Sequence, residues 1–297
     1  MPKIGEIYRK LTERDFKVLN AIEKGMAKYE YVPLEVIEKY TRMPESHVEL
    51  SLTKLHRLKL VKRQFMMYKG YRLTYLGLDM LALRTLVNKG VLEAIGDRMA
   101  VGKESEIYRA LAPGNKMIVV KLLRIGRPSF RGTRRLRVFA VDPHLDWYKQ
   151  SKIAAEREFK ALRELYYAGA NIPKPLAYNR HAIVLDYIEG IELYRKPALE
   201  NPSEVLRVIL ETIRKAYLEV GIVHGDLSEY NVLIDVRTGD PVIIDWPQYV
   251  EKDNPSSDFL LERDVEYIVR FFNKNYKISI DTKRALAYVR GEREEPW

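Results

Sequence analysis

Cysteine is absent from the 297 residues, which excludes disulfides and thiolate metal sites. Histidine is scarce, with five residues and no metal-ligand spacing, so nothing signals a structural zinc and any metal should be hard and oxygen-bound. No uninterrupted apolar run approaches a membrane span, and Met1-Pro2-Lys3-Ile4-Gly5-Glu6 lacks the apolar core of a secretory signal. The expectation is a cytoplasmic chain with no membrane contact. What is present, 46% hydrophobic and 31% charged residues, is the balance of a soluble globular protein with room for two domains.

Acidic residues are under-represented at one end of the chain. Residues 1 to 92 hold 18 Lys and Arg against 10 Asp and Glu, whereas the remainder is nearly balanced at 33 against 31, within a net charge of +10. A basic N-terminal surface suits a polyanionic partner such as nucleic acid, the plain alternative being a solvated face. Apolar positions Phe16, Leu19 and Ile22 follow helical spacing after Thr12-Glu13-Arg14-Asp15. Pro33 opens a second helix through Val36, Ile37 and Tyr40. A third, from Pro44-Glu45, aligns Val48, Leu52, Leu55 and Leu58.

Leu60 to Leu73 then reads as a hairpin turning near Lys69-Gly70. Three helices and a basic hairpin predict a winged helix, in which the third helix enters the major groove and the hairpin touches phosphate. Lys54, Arg57, Lys62, Arg63, Lys69 and Arg72 are the candidate DNA or RNA contacts, although Glu45 and Glu49 on the third helix oppose them. Protein contacts through the same domain are the competing reading. A helix from Tyr75 to about Asn88 ends at Lys89-Gly90, where the domain boundary is placed.

The chemistry concentrates in His224-Gly225-Asp226-Leu227-Ser228-Glu229-Tyr230-Asn231, followed by Val242-Ile243-Ile244-Asp245-Trp246. One Asp on a turn, an Asn five residues later, a short strand, and a second strand ending in Asp is the order used by kinase-type phosphotransferases. That order gives Asp226 the acceptor hydroxyl and gives Asn231 and Asp245 a Mg²⁺ on nucleotide phosphate. Each residue taken singly could be an ordinary turn former. The ordered set is much less easily explained that way.

Upstream, residues 92 to 110 read as strand, tight loop, strand, and Met117 to Leu123 as a third strand, the arrangement of a nucleotide lobe. Gly102, Lys103, Glu104 and Ser105 would form the loop over phosphates. Lys121, centred in an apolar strand, needs anionic partners, which phosphate and a carboxylate of the next helix would provide. Glu158 is the expected partner, with Glu156 second. Tyr187 and Ile188, after the apolar strand 181–186, are the expected adenine contacts.

Arg124 to Arg137 contains six arginines and no acid and is expected to be a mobile basic loop; its Ser129 is a candidate autophosphorylation site. An amphipathic helix is expected over 203–220 and another from Leu260 to Asn275. Past Asp245 there is neither an Ala-Pro-Glu segment nor room for a long activation loop.

With Gly102-Lys103-Glu104-Ser105, Arg127-Pro128-Ser129-Phe130-Arg131, the 224–231 stretch and Ile244-Asp245-Trp246-Pro247-Gln248, the chain resembles the RIO-family atypical serine/threonine kinases. The N-terminal winged helix points to the RIO kinase two subfamily. The resemblance spans essentially the whole chain. It implies an α+β architecture: a winged-helix domain (1–90), then a bilobal protein-kinase-like domain (91–297) lacking the activation loop and peptide-binding segment. The nucleotide lobe would span about 91–187 and the catalytic lobe about 188–297.

It further implies ATP with Mg²⁺ or Mn²⁺, serine autophosphorylation or ATP hydrolysis, and a role in small ribosomal subunit maturation with contacts to pre-ribosomal RNA. Under it Lys121 contacts phosphate, Asp226 acts at the acceptor, Asn231 and Asp245 hold metal, and Glu104 with Ser105 lies beneath the nucleotide. Competing functions are an ATP-gated nucleic-acid-binding switch and a small-molecule phosphotransferase of the aminoglycoside-kinase type, which shares the His-Gly-Asp and Ile-Asp-Trp elements.

Overall fold

A computed structural model of the chain describes residues 3–65, 68–102, 104–125 and 146–297. These fall into two compact units, one of Met1–Arg124 with Tyr178–Ala182 and one of Ile125–Ala177 with Ile183–Trp297. The Lys89-Gly90 break is a helix end inside the first unit.

The first unit begins with α1 (Ile4–Arg9) and α2 (Glu13–Gly25). Thr12 and Asp15 form a reciprocal capping box that starts α2. β1 (Val32–Pro33), α3 (Leu34–Thr41) and α4 (Glu45–Arg57) follow, and α4 buries Val48, Ser51, Leu52 and Leu55 on one face. β2 (Val61–Gln64) and β3 (Gly70–Leu73) are antiparallel, with β1 on the other edge of β3. This is the expected winged helix with one correction. Gly70 does not turn the hairpin but pairs with Gln64 and Pro33 inside it. Glycine is required there by crowding, since a Cβ would come within 2.8 Å of the Tyr68 ring and 2.9 Å of the Tyr31 Cβ.

After α5 (Tyr75–Asn88) come β4 (Ala94–Val101), β5 (Ser105–Ala112) and β6 (Lys116–Leu123), a three-stranded antiparallel meander in which Ile107 sits opposite Lys121. Arg124, expected to open a mobile basic loop, is instead 3% exposed. Its guanidinium donates to both Asp79 oxygens (2.7 and 2.9 Å) and to Glu106 (2.9 Å), and its backbone N–H donates to the Glu104 carbonyl (2.6 Å). Tyr108 donates its hydroxyl proton to Glu106, and His181 Nε2 lies 2.7 Å from Asp79. Two acids flank this one guanidinium and offset the cost of its burial, partners that its basic sequence neighbours concealed. Residues 126–145, with Ser129 and the rest of the basic stretch, lie outside the described residues, as does Lys103.

The second unit contains α6 (Trp147–Tyr167), which starts four residues before the expected Ser151 because Tyr148 and Gln150 are already buried. β7 (Pro175–Asn179) and β8 (Ala182–Asp186) form a hairpin whose turn belongs to the first unit. β9 (Gly190–Glu192) and α7 (Pro202–Lys215) follow, and α7 runs on as a π-turn to Val220 that Gly221 closes in left-handed conformation.

β10 (Ile222–Val223), β11 (Val232–Asp235), β12 (Pro241–Ile243) and β13 (Val250–Glu251) frame the 224–231 stretch; β10 pairs with β13, and β11 lies between β12 and β9. α8 (Ser257–Tyr276) and α9 (Thr282–Val289) close the unit around a core that includes Trp246 and Phe272. Among the described residues no helix is long and apolar enough to cross a membrane.

The buried charge cluster gives a direct test. Burial works against the Asp79 carboxylate, but Arg124 and His181 outweigh it and hold its pKa below the ordinary value. Asp79→Ala would leave Arg124 buried without its main counter-charge, and should cost about 3–5 kcal/mol of unfolding free energy by denaturant titration. The triple variant Asp79→Leu/Glu106→Leu/Arg124→Met, which removes the second acid together with the pair, should recover most of that loss. Because Asp79 is depressed, its contribution is present above pH 3.8 and fades as pH falls through the folded value.

Candidate active site

β10 delivers the chain into a tight loop whose backbone is held from beneath by one carboxylate. Asp264, 1% exposed on α8, accepts the Gly225 N–H at 2.7 Å and the Leu227 N–H at 3.2 Å. The Arg263 guanidinium donates to the Gly225 carbonyl and, at 3.3 Å, to Asp264. Gly225 has φ +77°, and a Cβ there would stand 2.8 Å from the Gln248 carbonyl oxygen, so both conformation and space demand glycine. With its two neighbouring N–H groups fixed from below, Asp226 is turned out and exposed.

Five further contacts set the relative placement of the acidic and amide groups. Asn231 Nδ2 donates to the Asp226 carbonyl at 2.8 Å, and the Ile244 N–H donates to the Asn231 carbonyl at 2.9 Å. His224 packs on Trp246 with ring centres 4.6 Å apart. Its Nε2 lies 3.1 Å from the Ile244 carbonyl, and its Nδ1 lies 3.3 Å from the Asp226 N–H. A neutral imidazole protonated on Nε2 satisfies both contacts. Together these bonds tie the Asp226 loop to the strand end at Ile244-Asp245, and Asp245 is exposed in left-handed conformation at φ +67°.

The donor set suits a hard cation. Asn231 commits Nδ2 to a carbonyl, which leaves Oδ1 as the oxygen it could offer a cation, and Asp245 offers carboxylate oxygens. Among the described residues no group of three or more His, Cys, Asp or Glu is gathered as a metal cluster. A two-residue set of this kind suits a cation that also takes phosphate and water oxygens.

The remaining expected site residues fall on both units. In the first, Lys121 is 4% exposed on β6, and Ser105 opens β5 with its carbonyl accepting the Gly102 N–H at 2.9 Å. Gly102 is not sterically enforced, since a Cβ there would make only ordinary contact with Ser105. In the second, Glu158 is 1% exposed on α6, and Tyr187 and Ile188 are half-buried in the three-residue link between β8 and β9. Of the winged-helix cations, Lys54 holds Asp15 at 2.6 Å, Lys69 holds Glu49, and Arg72 reaches Glu30 at 3.4 Å. Arg57, Lys62 and Arg63 are exposed, and Arg63 lies over the Phe65 ring.

Asp264 and Arg263 were missed by sequence reasoning. The signal was there, because an acid interrupts the apolar face Leu260, Leu261, Val265, Ile268 of a long helix.

Residues 106–285 match the RIO domain and residues 8–89 the Rio2 N-terminal domain. The chain is 38% identical over 275 residues to the RIO-type serine/threonine-protein kinase Rio2 of Methanocaldococcus jannaschii, spanning 89% of this chain and 99% of that one. It is 33% identical over 282 residues to the serine/threonine-protein kinase RIO2 of Saccharomyces cerevisiae, spanning 91% of this chain and 65% of that one. A solved Rio2 kinase–ADP/Mg²⁺–phosphoaspartate complex from Chaetomium thermophilum is similar with a TM-score of 0.78 at 30% identity, over 98% of this chain and 94% of that one.

Burial raises the Asp264 carboxyl to about 6, against the lowering pull of the Gly225 N–H and Arg263. Because the folded value is raised, protonation favours the folded state, and that advantage is lost as pH rises from 3.8 through about 6. The loop needs the opposite form, since only the carboxylate offers an acceptor to both N–H groups without a proton of its own. Catalytic rate should therefore climb with pH around 6 in a pH–rate profile. Asp264→Asn, which sets an NH₂ group against an N–H donor, should lose that limb and turn over about 10- to 100-fold more slowly.

Proposed function

Because the chain belongs to the RIO family of atypical serine/threonine protein kinases, we propose that the 224–231 loop transfers the γ-phosphoryl group of ATP to a serine hydroxyl. The observation that carries this reading is Asp226, held outward on a backbone clamped by Asp264 and tied through Asn231 and His224 to the strand end bearing Asp245. In the step, the acceptor oxygen bonds to the γ-phosphorus while the bond to the β,γ-bridging oxygen breaks and ADP leaves. Asp226 orients the acceptor and takes its proton.

Asn231 and Asp245 would hold Mg²⁺ or Mn²⁺, which when bound would neutralise phosphate charge. Lys121 reads phosphate with Glu158 as its counter-charge, Gly102 to Ser105 underlie the nucleotide, and Tyr187 with Ile188 take the adenine. Positioning and electrostatics provide most of the rate. The acceptor is Ser129 of the chain itself or a component of the maturing small ribosomal subunit. Arg57, Lys62 and Arg63 meet its RNA in the cytoplasm.

Asp226→Asn should leave the ATP dissociation constant within about threefold while phosphoryl transfer falls at least about 100-fold, because the carboxylate faces the acceptor and not the nucleotide. Isothermal titration and a radiolabel transfer assay read the two quantities. Unchanged transfer removes Asp226 from the mechanism.

The phosphoaspartate of the Chaetomium relative supports a second reading, in which an aspartate of this loop region accepts the phosphoryl group and water then releases it as phosphate. Acid-quenched enzyme should then carry hydroxylamine-labile phosphate on Asp226 or Asp245. Label found only on serine would reject it.

A further inference from the structure

Beside the catalytic loop lies an open cleft of about 700 Å³ that none of the roles above uses. Its walls come from three places in the second unit: the catalytic loop itself at Ser228, Glu229 and Tyr230, the turn after β9 at Tyr194 and Lys196, and the outer face of α8 at Arg270 and Lys274. Three cations and one acid face the same space. Lys196, Arg270 and Lys274 are all exposed, and among the described residues none of them forms an ion pair.

The cleft is shaped by rigid parts. Tyr194 and Tyr230 stack with ring centres 4.9 Å apart and planes at 27°, which fixes the loop side of the cleft to the β9 side. Lys196 is held in left-handed backbone conformation at φ +56° directly after the short helical turn Leu193–Arg195. On α8, Arg270 and Lys274 are one turn apart, about 6 Å along the axis. That spacing matches the roughly 6.6–7 Å between alternate side chains of an extended peptide.

We propose that this cleft is the acceptor-substrate site, and that it selects a protein segment whose residues flanking the phosphorylated serine carry carboxylates or phosphates. The proposal rests on the kinase reading of Asp226 and adds to it the charge of the substrate. Ser228, Glu229 and Tyr230 follow Asp226 within four residues, so the cleft opens beside the residue to which a substrate segment would present its hydroxyl. Three cations against Glu229 make the net field there positive. A basic segment would be repelled by Lys196, Arg270 and Lys274, and an apolar one would leave them without partners. Arg270 offers a planar fork suited to a carboxylate or phosphate, while Lys196 and Lys274 act as point charges.

The test uses the full chain with ATP and Mg²⁺ on four serine peptides, flanked by glutamates, by alanines, by lysines, or by a phosphoserine two residues from the acceptor. The glutamate peptide should show a KM about tenfold below the alanine peptide, at a kcat within about twofold, because two or three exposed pairs each contribute a few-fold. A still lower KM for the phosphoserine peptide would identify phosphate as the preferred group, and equal values would identify charge alone. Arg270→Glu/Lys274→Glu should raise KM for the glutamate peptide about tenfold and lower it for the lysine peptide. Lys283→Glu, an equal charge change on α9 outside the cleft, should keep the wild-type order.

Equal KM values across the peptides, or an unchanged order in the double variant, overturn the proposal. It is also overturned if no peptide is phosphorylated while Asp226-dependent label appears on the chain itself, an outcome that leaves the kinase reading standing. Loss of label everywhere removes both. Salt-sensitive binding of a single-stranded oligonucleotide, lost in the double variant with no preference among peptides, would assign the cleft to nucleic acid instead.

Discussion

The catalytic end of this molecule depends on one buried carboxylate. A loop that must expose an aspartate cannot be held by packing of that side chain, so its backbone has to be held instead. Asp264 does this by accepting the N–H groups on either side of Asp226. Burying a charge is costly, and the raised Asp264 value of about 6 registers that cost. The return is rigidity, because two charge-assisted bonds to the amides flanking Asp226, with Arg263 on the Gly225 carbonyl, leave the 225–227 backbone little room to move. Gly225 completes the arrangement, since no side chain fits between its turn and the Gln248 carbonyl.

A second buried charge network does comparable work in the other unit. Arg124 joins α5, β5 and the turn before β8 through Asp79, Glu106 and His181, and its backbone holds the Glu104 carbonyl at the base of the expected phosphate loop. Each network buries charge beside residues expected to belong to the site, Asp226 in one unit and Glu104 in the other. Removal of a single partner is far more damaging than replacement of the whole set, which is the behaviour of buried ion pairs in general.

Much of this was legible in the sequence. The winged helix, the three-stranded meander, Lys121 within the apolar strand β6, and the Asp226, Asn231 and Asp245 order all follow from local patterns, because periodicity and turn chemistry act over a few residues. What escaped depends on distant partners. Arg124 looked like the first residue of a basic loop, since its acids lie 18 and 45 residues away. Gly70 read as a turn because glycine has two uses, and only the neighbouring Tyr31 and Tyr68 show that close approach is the operative one. Asp264 sits 37 to 39 residues beyond the amides it holds, and its one local trace was an acid on an apolar helix face. The α8 cations were equally silent, because a charged outer face is what any surface helix presents.

The central claim is that Asp264 acts on phosphoryl transfer only by holding Asp226. A double-mutant cycle in single-turnover transfer tests it most directly. If the clamp works through Asp226, Asp226→Asn/Asp264→Asn should be no more than about twofold slower than Asp226→Asn alone, since there is no aspartate left to position. If the two losses multiply in full, Asp264 contributes by another route and the account of the loop is wrong.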